Sequence, residues 1–291
     1  MSDINTLVKL DMTLGECPRW NATEQAWYWV DILGKCFYRY DTTSDTLKSR
    51  KLEFAPACFT FTTRNHIVLT ASDGVYWLDK FSAPARKLAN PERQHPANRF
   101  NDGVTTPEGD FIAGTIGSGT DPVGTTYQMR LRDKTLRNKP LQTGWTIING
   151  QAFSPDDCWY YVTDTPSQKI MRQSYDKETQ TFGSAELFYQ CEADEYPDGA
   201  AVDQDGNYWV AMYGSSKISV ISAAGIKIKD IPLPVSQPTM VAFGGKDLTQ
   251  LIVTSANQTL SADQLIEQPL AGSVLLLNVD CNGTVPTPMM E

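Results

Sequence analysis

A strand-like, aromatic-rich segment recurs six times along this chain of 291 residues, at intervals of about forty to fifty residues. That interval suits one four-stranded blade per repeat. The sequence therefore predicts an all-β fold, a six-bladed β-propeller with four-stranded blades around a central channel, in which residues 1–291 form one domain. The six segments are Trp27–Val30, Ile67–Leu69, Phe111–Ala113, Trp159–Val162, Tyr208–Ala211 and Leu251–Val253.

Turn residues and composition agree with this architecture. Apolar residues make up 41% of the chain and charged residues 20%, which is enough to bury the faces between blades and argues against disorder. Asp, Asn and Gly clusters between the apolar segments favour tight hairpins. Val274–Val279 is predicted to be the last strand, and we expect Leu7–Leu10 to pair beside it, closing the ring and removing an exposed sheet edge.

Charge and targeting features exclude several partners. The formal net charge is −9 and the basic residues are scattered, whereas a nucleic-acid-binding protein needs a basic face. The first residues have neither a basic segment nor an apolar core of signal-peptide length, and no run reaches membrane-spanning length. We expect a cytoplasmic protein that binds neither nucleic acid nor membrane, with six dispersed, mostly buried free cysteines.

The histidine count limits the chemistry. Only His66 and His95 are present, and no G-x-S-x-G motif accompanies them, so neither a Ser-His-Asp hydrolase nor a histidine-rich zinc site is expected. His66 is predicted to lie in a strand with a structural role, and His95 in a solvated loop. Any metal would therefore be held mainly by carboxylate and amide oxygens.

Two local motifs have simpler interpretations than the ones they suggest. Asp203–Asn207 looks like the start of a calcium loop but lacks the later ligands, so a hairpin turn is predicted. The glycine-rich segment 114–124 lacks Gly-Lys-Ser/Thr and no helix follows it. It is predicted to be a long, mobile loop at the mouth of the ring.

Four short segments carry an acidic or amide side chain at a Gly or Pro turn that opens an inner strand. The side chains are Glu16, Asn101, Asn149 and Asp198, at spacings of 85, 48 and 49 residues, which correspond to two, one and one repeats. Equivalent positions of different blades converge on the axis of a propeller, which favours a metal or ligand site there. The alternative is that repeats share turns for purely structural reasons, and the residues alone leave both open.

These segments resemble those of the SMP-30/gluconolactonase/regucalcin-like family. The resemblance runs over nearly the whole chain, and its pieces occur in the right order. It implies a six-bladed propeller that hydrolyses sugar lactones with one divalent metal. The matching segments are Leu14–Trp20, Tyr28–Ile32, Arg99–Gly103, Ala113–Ile116, Asn149–Asp156, Tyr161–Thr165, Pro197–Gly199, Trp209–Ala211, Thr239–Gly245 and Val253–Ala256.

The resemblance also implies roles for individual residues. Glu16, Asn149 and Asp198 would ligate the metal, while Arg99 and Asn101 would contact the substrate. Family members often carry an acidic residue shortly after a Gly-Thr-Met segment, where it helps to hold substrate hydroxyls. This chain has Gly-Thr-Ile at 114–116, and its next acid, at position 121, comes late. The choice of sugar is therefore left open.

We expect Asp198 to act also as the general base that accepts a proton from the attacking water. Arg99 would donate hydrogen bonds to the substrate, although an ion pair with Asp102 is an alternative role. The expected cofactor is one divalent ion, Ca²⁺ or Zn²⁺ first, with Mg²⁺, Mn²⁺ and Fe²⁺ also compatible with oxygen ligands.

The sequence thus predicts a metal-dependent lactonase that opens a neutral sugar lactone (an aldonolactone) to the sugar acid in sugar catabolism. It is expected to be a monomer or a weak homodimer. Two alternatives remain: a metal-binding propeller without turnover, and a related metal-dependent esterase.

Overall fold

The computed structural model describes residues 4–133 and 135–291. Over these residues the chain forms 25 β-strands, one 3₁₀ turn (Thr165–Ser167) and one short α-helix, α1 (Ala262–Glu267). No helix in this part of the chain is both long and apolar enough to span a membrane.

The strands form six antiparallel sheets, the blades, each running from an innermost strand outwards. The first strand, β1 (Ile4–Val8), lies at the outer edge of blade 6. Blade 1 consists of β2 (Gly15–Asn21), β3 (Ala26–Asp31), β4 (Cys36–Asp41) and β5 (Thr46–Lys51). Blade 2 consists of β6 (Pro56–Phe61), β7 (Ile67–Ala71), β8 (Gly74–Leu78) and β9 (Arg86–Ala89). Blade 3 consists of β10 (Arg99–Thr105), β11 (Phe111–Ile116), β12 (Gly124–Arg132) and β13 (Thr135–Trp145).

Blades 4 to 6 complete the ring, which confirms the predicted six-bladed propeller. In blade 4 the outer edge is divided between two strands, β17 (Thr181–Phe182) and β18 (Glu186–Gln190), which both pair with β16 (Lys169–Asp176). Blade 4 consists of β14 (Ile148–Phe153), β15 (Trp159–Asp164), β16, β17 and β18. Blade 5 consists of β19 (Tyr196–Val202), β20 (Tyr208–Tyr213), β21 (Lys217–Ile221) and β22 (Lys227–Pro232). Blade 6 consists of β23 (Pro238–Gly244), β24 (Gln250–Ser255) and β25 (Val274–Asn278), with β1 at its outer edge.

The six predicted apolar segments all lie in the second strands of their blades. These strands are buried on both faces because a neighbouring blade packs against each side. Every residue of β3 and of β11 is buried, and Trp27 and Trp29 are fully so. Burying a large apolar side chain stabilises a fold by ~1.5–3 kcal/mol, so these strands hold the blades together.

The predicted ring closure is confirmed, with a shifted boundary. Strand β1 pairs antiparallel with β25, Ile4 lying opposite Leu277 and Val8 opposite Val274. The strand ends at Val8 and does not reach Leu10, because the Ser273 hydroxyl bonds both the Leu10 N–H and the Leu10 carbonyl oxygen. The pairing covers an edge of blade 6 that would otherwise be open.

Several smaller predictions can be compared with the fold. The prediction that His66 lies in a strand is wrong, because the residue precedes β7. Its Nδ1 lies 2.9 Å from Oε2 of Glu291, and these residues are so far apart in the sequence that no local pattern could predict the contact. His95 lies in an exposed loop as predicted, and Asp203–Asn207 forms the hairpin between β19 and β20. Residues 117–123 form an exposed loop, while residues 114–116 continue β11. All six cysteines are free, four of them buried.

Candidate metal and substrate site

The innermost strands surround one axis. Strands β2, β6, β10, β14, β19 and β23 contact one another in that order, and β23 contacts β2 again. We call the face of the ring at which these strands begin the upper face. The five predicted site residues all occupy the first three positions of four such strands, so the fold brings them to the upper end of the central channel.

A β-bulge interrupts the ladder near the start of every innermost strand. Bulges bend a strand and re-aim its side chains, and they are common next to functional sites. Here they lie where the predicted site residues lie. The register shifts are between Glu16 and Arg19, Pro56 and Phe59, Phe100 and Gly103, Asn149 and Ala152, Pro197 and Ala200, and Pro238 and Met240.

The site residues occupy two neighbouring positions of this bulge and not the single equivalent position that their spacing suggests. Glu16 and Asn149 are the last paired residues before it, opposite Val30 and Thr163. Asn101 and Asp198 are the first residues within it. Each of these four bulges leaves two residues unpaired, so Asn101 and Asp198 lie one position further along their strands than Glu16 and Asn149 do.

The bulges that follow Glu16 and Asn149 share a backbone feature. The next residue has a positive φ in both, 49° at Cys17 and 62° at Gly150. This left-handed conformation is natural for glycine and costs free energy at cysteine. Cys17 is held there by hydrogen bonds, since its N–H donates to Glu16 Oε2 at 3.1 Å and the Phe59 N–H donates to its Sγ at 3.3 Å.

The approach to each of these two residues is held by an aspartate at the end of the second strand. In blade 1, Asp31 accepts hydrogen bonds from the N–H groups of Thr13 and Leu14, at 3.1 and 3.0 Å. In blade 4, Asp164 accepts them from Thr146 and Ile147, at 3.1 and 2.7 Å. Both carboxylates therefore fix the backbone two and three residues before the candidate ligand.

A chain of hydrogen bonds links five residues across three blades. Arg99 Nη1 donates to Asn101 Oδ1 at 2.8 Å, and Asn101 Nδ2 donates to Asn149 Oδ1 at 2.9 Å. Asn149 Nδ2 donates to Thr165 Oγ1 at 2.9 Å, and that hydroxyl donates to the Pro197 carbonyl oxygen at 2.8 Å. Asn101 and Asn149 are buried. The two predicted substrate residues and the predicted metal ligand Asn149 are thus parts of one network.

Carboxyl groups crowd the same space. Burial raises the pKa of Glu16 to about 8, and the Asp102 carboxylate adds to the rise. Burial likewise raises the pKa of Asp198 well above its usual range, with Glu16 and Asp102 adding to it, while the Arg99 guanidinium opposes the rise in both groups. Like charges in a poorly solvated space disfavour ionisation, so this channel end attracts cations.

The alternative role of Arg99, an ion pair with Asp102, is not seen. Over the described residues Arg99 forms no ion pair and donates to the Phe100 carbonyl oxygen and to Asn101 Oδ1. Asp102 is buried and accepts hydrogen bonds from the N–H groups of Gly103 at 2.7 Å and Gln151 at 3.0 Å. It therefore connects the bulge of blade 3 to that of blade 4.

The residues present fit a divalent cation. Asp198 is 7% exposed, and its Oδ1 accepts no hydrogen bond from any described residue. An unpaired buried carboxylate oxygen is costly unless a cation compensates it. Within residues 4–133 and 135–291, no three His, Cys, Asp or Glu side chains come close enough to hold a metal alone. A metal here would need the amide oxygen of Asn149 beside the two carboxylates.

Sequence reasoning missed the supporting residues. Asp31 and Asp164 end the second strands of blades 1 and 4, and their shared place in the repeat could have revealed them. Asp102 and Thr165 each have one partner in the next blade, Gln151 and Pro197, and no local pattern indicates those contacts. Asp121, the late acid, lies in the exposed 117–123 loop.

The fold and the site define the class as a six-bladed propeller with carboxylate and amide side chains gathered at one end of its channel. Residues 14–257 match the SMP-30/Gluconolactonase/LRE-like region, and the chain belongs to that family. It is 34% identical over 282 residues to a 6-deoxy-6-sulfogluconolactonase of Pseudomonas putida, covering 96% of each chain. It is 28% identical over 293 residues to regucalcin of Xenopus laevis, covering 98% of this chain and 97% of the relative.

Among solved structures, the calcium-binding protein regucalcin from Agrobacterium tumefaciens superposes with a TM-score of 0.93 at 27% identity. The superposition covers 99% of this chain and 97% of that one. The likeness therefore extends over the whole ring.

Proposed function

We propose that this protein is a metal-dependent lactonase that opens an aldonolactone to the corresponding sugar acid. The proposal is supported by the position of Glu16, Asn149 and Asp198 near the starts of innermost strands, at one end of the channel, and by the unpaired buried oxygen of Asp198. The lactonase named among the relatives supports the reaction class. We assign these three residues as metal ligands, and Arg99 and Asn101 as substrate contacts.

The ligand set is compatible with several ions. Carboxylate and amide oxygens suit Ca²⁺, and Zn²⁺ also binds carboxylates, while Mg²⁺, Mn²⁺ and Fe²⁺ are further candidates. When bound, such an ion supplies Lewis-acid polarisation of a carbonyl group and a lowered pKa for water.

Asp198 has a second role in this proposal, as the general base. Its carboxylate takes a proton from water as the water oxygen bonds to the lactone carbonyl carbon. When the ring C–O bond breaks, Asp198 returns that proton to the released alcohol oxygen. The product is an open-chain hydroxy acid, which ionises in solution.

Arg99 is placed to bind the substrate. It is partly exposed at the channel end, and towards the residues that the structure describes it donates through Nη1 alone, which leaves further guanidinium N–H groups for lactone oxygens. A hydrogen bond from a charged donor contributes ~1.5–3 kcal/mol. Arg99→Met is therefore expected to lower kcat/KM by about 10–100-fold, mainly through KM, as measured by steady-state kinetics.

The matched control for that variant is Arg93→Met, an exposed arginine of the neighbouring loop. It should leave the kinetics unchanged, and both variants should bind the metal as the parent protein does. An Arg99→Met enzyme with parental kinetics would remove Arg99 from the substrate site.

The function itself is tested by a panel of five- and six-membered aldonolactones, with acid release followed by a pH indicator and the uncatalysed rate subtracted. We expect hydrolysis that disappears after chelation and returns on adding back Ca²⁺, Zn²⁺, Mg²⁺ or Mn²⁺ separately. Turnover that survives complete metal removal contradicts the proposal. Metal binding without acid release would indicate a binding protein, and a preference for aryl esters would indicate an esterase.

A further inference from the structure

The Thr165 hydroxyl lies between blades 4 and 5 with both of its hydrogen-bonding roles assigned. It accepts from Asn149 Nδ2 at 2.9 Å and donates to the Pro197 carbonyl oxygen at 2.8 Å. A hydroxyl has one hydrogen, and a carbonyl oxygen can only accept. The hydrogen of Thr165 is therefore committed to Pro197, and the atom that faces Thr165 from Asn149 must be a donor.

Donor and acceptor roles are also fixed at the other end of the network. Arg99 can only donate, so Asn101 must present Oδ1 to it and Nδ2 to Asn149. Asn101 Nδ2 also donates to the Ile148 carbonyl oxygen at 2.9 Å. A side-chain amide can normally turn by 180° with little change in shape. Here Arg99 must donate at one end of the network and the Thr165 oxygen must accept at the other. The amides of Asn101 and Asn149 between them therefore have one orientation each that satisfies every hydrogen bond.

The backbone around Thr165 is held firmly. Its N–H donates to the Ile147 carbonyl oxygen at 2.9 Å, and the preceding residue, Asp164, accepts from Ile147 and Thr146. Thr165 opens the 3₁₀ turn Thr165–Ser167, in which Pro166 restricts the backbone further. The hydroxyl is thus presented from a rigid element, as a supporting residue must be to orient another side chain.

We propose that Thr165 is a positioning residue for the metal site, which keeps the oxygen of the Asn149 amide on the side of Asn101 and the channel and anchors the peptide before Asp198. Divalent cations bind the oxygen of an amide and not its nitrogen. The part of this inference that concerns the metal rests on the proposed function. The part that concerns the amide orientation does not.

The amide orientation is tested in metal-free protein. We expect the side-chain NH₂ of Asn149, followed by ¹⁵N NMR, to be protected from hydrogen exchange in the parent and in Thr165→Ser. In Thr165→Val, which keeps the shape and removes the hydroxyl, that protection should fall at least tenfold. Equal protection in Thr165→Val and parent overturns the inference, whatever the metal experiments give.

Metal affinity provides the second measurement, by isothermal titration with Ca²⁺ and Zn²⁺. Loss of an outer partner of a metal ligand typically weakens binding about 10–100-fold, and we expect that loss in Thr165→Val with recovery in Thr165→Ser. The control is Ser167→Ala, which removes a hydroxyl-to-carbonyl bond of the same turn, to Asp164. It should retain parental affinity.

The outcomes distinguish the orienting role of Thr165 from the assignment of the metal site. If Thr165→Val is merely less stable but binds metal within twofold of the parent, Thr165 is only structural. If Thr165→Val does not fold, a folded Thr165→Ser that binds metal poorly likewise overturns the role of the hydroxyl. If the parent binds neither ion while the exchange results hold, the metal assignment fails and the orientation of Asn149 stands.

Discussion

Asp198→Asn is expected to lower kcat/KM for lactone hydrolysis by about a thousandfold or more, because in the proposed mechanism one change removes the general base and an anionic metal ligand. Asparagine has nearly the same shape, so the propeller should remain intact. The measurements are steady-state kinetics, metal titration and circular dichroism. Asp205→Asn, an exposed aspartate of the same blade, is the control and should behave as the parent does. A variant that keeps a tenth of the activity would exclude Asp198 as the base.

The same change should stabilise the metal-free protein. Burial and two neighbouring carboxyls raise the pKa of Asp198 in the folded state above its value in the unfolded chain. For such a group the unfolded state releases its proton first as the pH rises, so stability is present at low pH and is lost as the pH rises towards the folded pKa. Asparagine carries no such penalty.

The melting temperature of metal-free Asp198→Asn should therefore exceed that of the parent by more at pH 8 than at pH 5. A difference that does not change with pH would show that the carboxyl is not destabilised by its surroundings. Stabilisation on removing a functional residue is expected where a site is built around a cation.

Gly150→Ala is expected to have the largest effect on stability. Gly150 has a φ of 62°, and an added Cβ would collide with the hydroxyl of Tyr208, which donates to the Gly150 carbonyl oxygen at 2.6 Å. The left-handed conformation costs ~1–2 kcal/mol and a disturbed buried hydrogen bond ~1–3 kcal/mol. We expect a loss of ~2–5 kcal/mol in the free energy of unfolding, measured by urea denaturation.

Two variants separate these contributions. Gly214 also has a positive φ, 81°, but nothing lies within 4 Å of an added Cβ, so Gly214→Ala should show the conformational cost alone. Tyr208→Phe removes the colliding oxygen, so the double variant with Gly150→Ala should lose less stability than the sum of the single variants. Strict additivity would show that the collision is relieved elsewhere. Activity should fall as well, because Gly150 follows Asn149 directly.

Much of the architecture could be predicted because its signals are local. Apolar and aromatic residues indicate strands such as Trp27–Val30, and Asp, Asn and Gly indicate the turns. Counting the repeats was therefore enough to predict six blades. The closure by the first strand also followed, since an unpaired last blade would expose an edge. Its end at Val8 did not, because the Ser273 hydroxyl that takes over at Leu10 lies 263 residues away.

The site was predicted less completely. Spacing indicated Glu16, Asn101, Asn149 and Asp198, and the resemblance added Arg99 and the roles. The spacing also suggested that the four residues occupy one equivalent position in their blades, whereas in the structure they occupy two neighbouring positions relative to the bulge. The difference arises in the bulge, whose place depends on which residues pair with the neighbouring strand, and pairing is not a property of either strand alone.

The amino-acid sequence by itself determined the number of blades, the face on which the polar turn residues gather and the carboxylate and amide character of the proposed ligands, because each follows from residue type and period. Only the tertiary structure decided which oxygen lacks a partner, that Arg99 serves Asn101 and not Asp102, and that Thr165 holds Asn149. Those outcomes depend on side-chain contacts between residues that the chain brings together only on folding, and the bonds from Asn101 to Asn149 and from Thr165 to Pro197 also require neighbouring blades to pack.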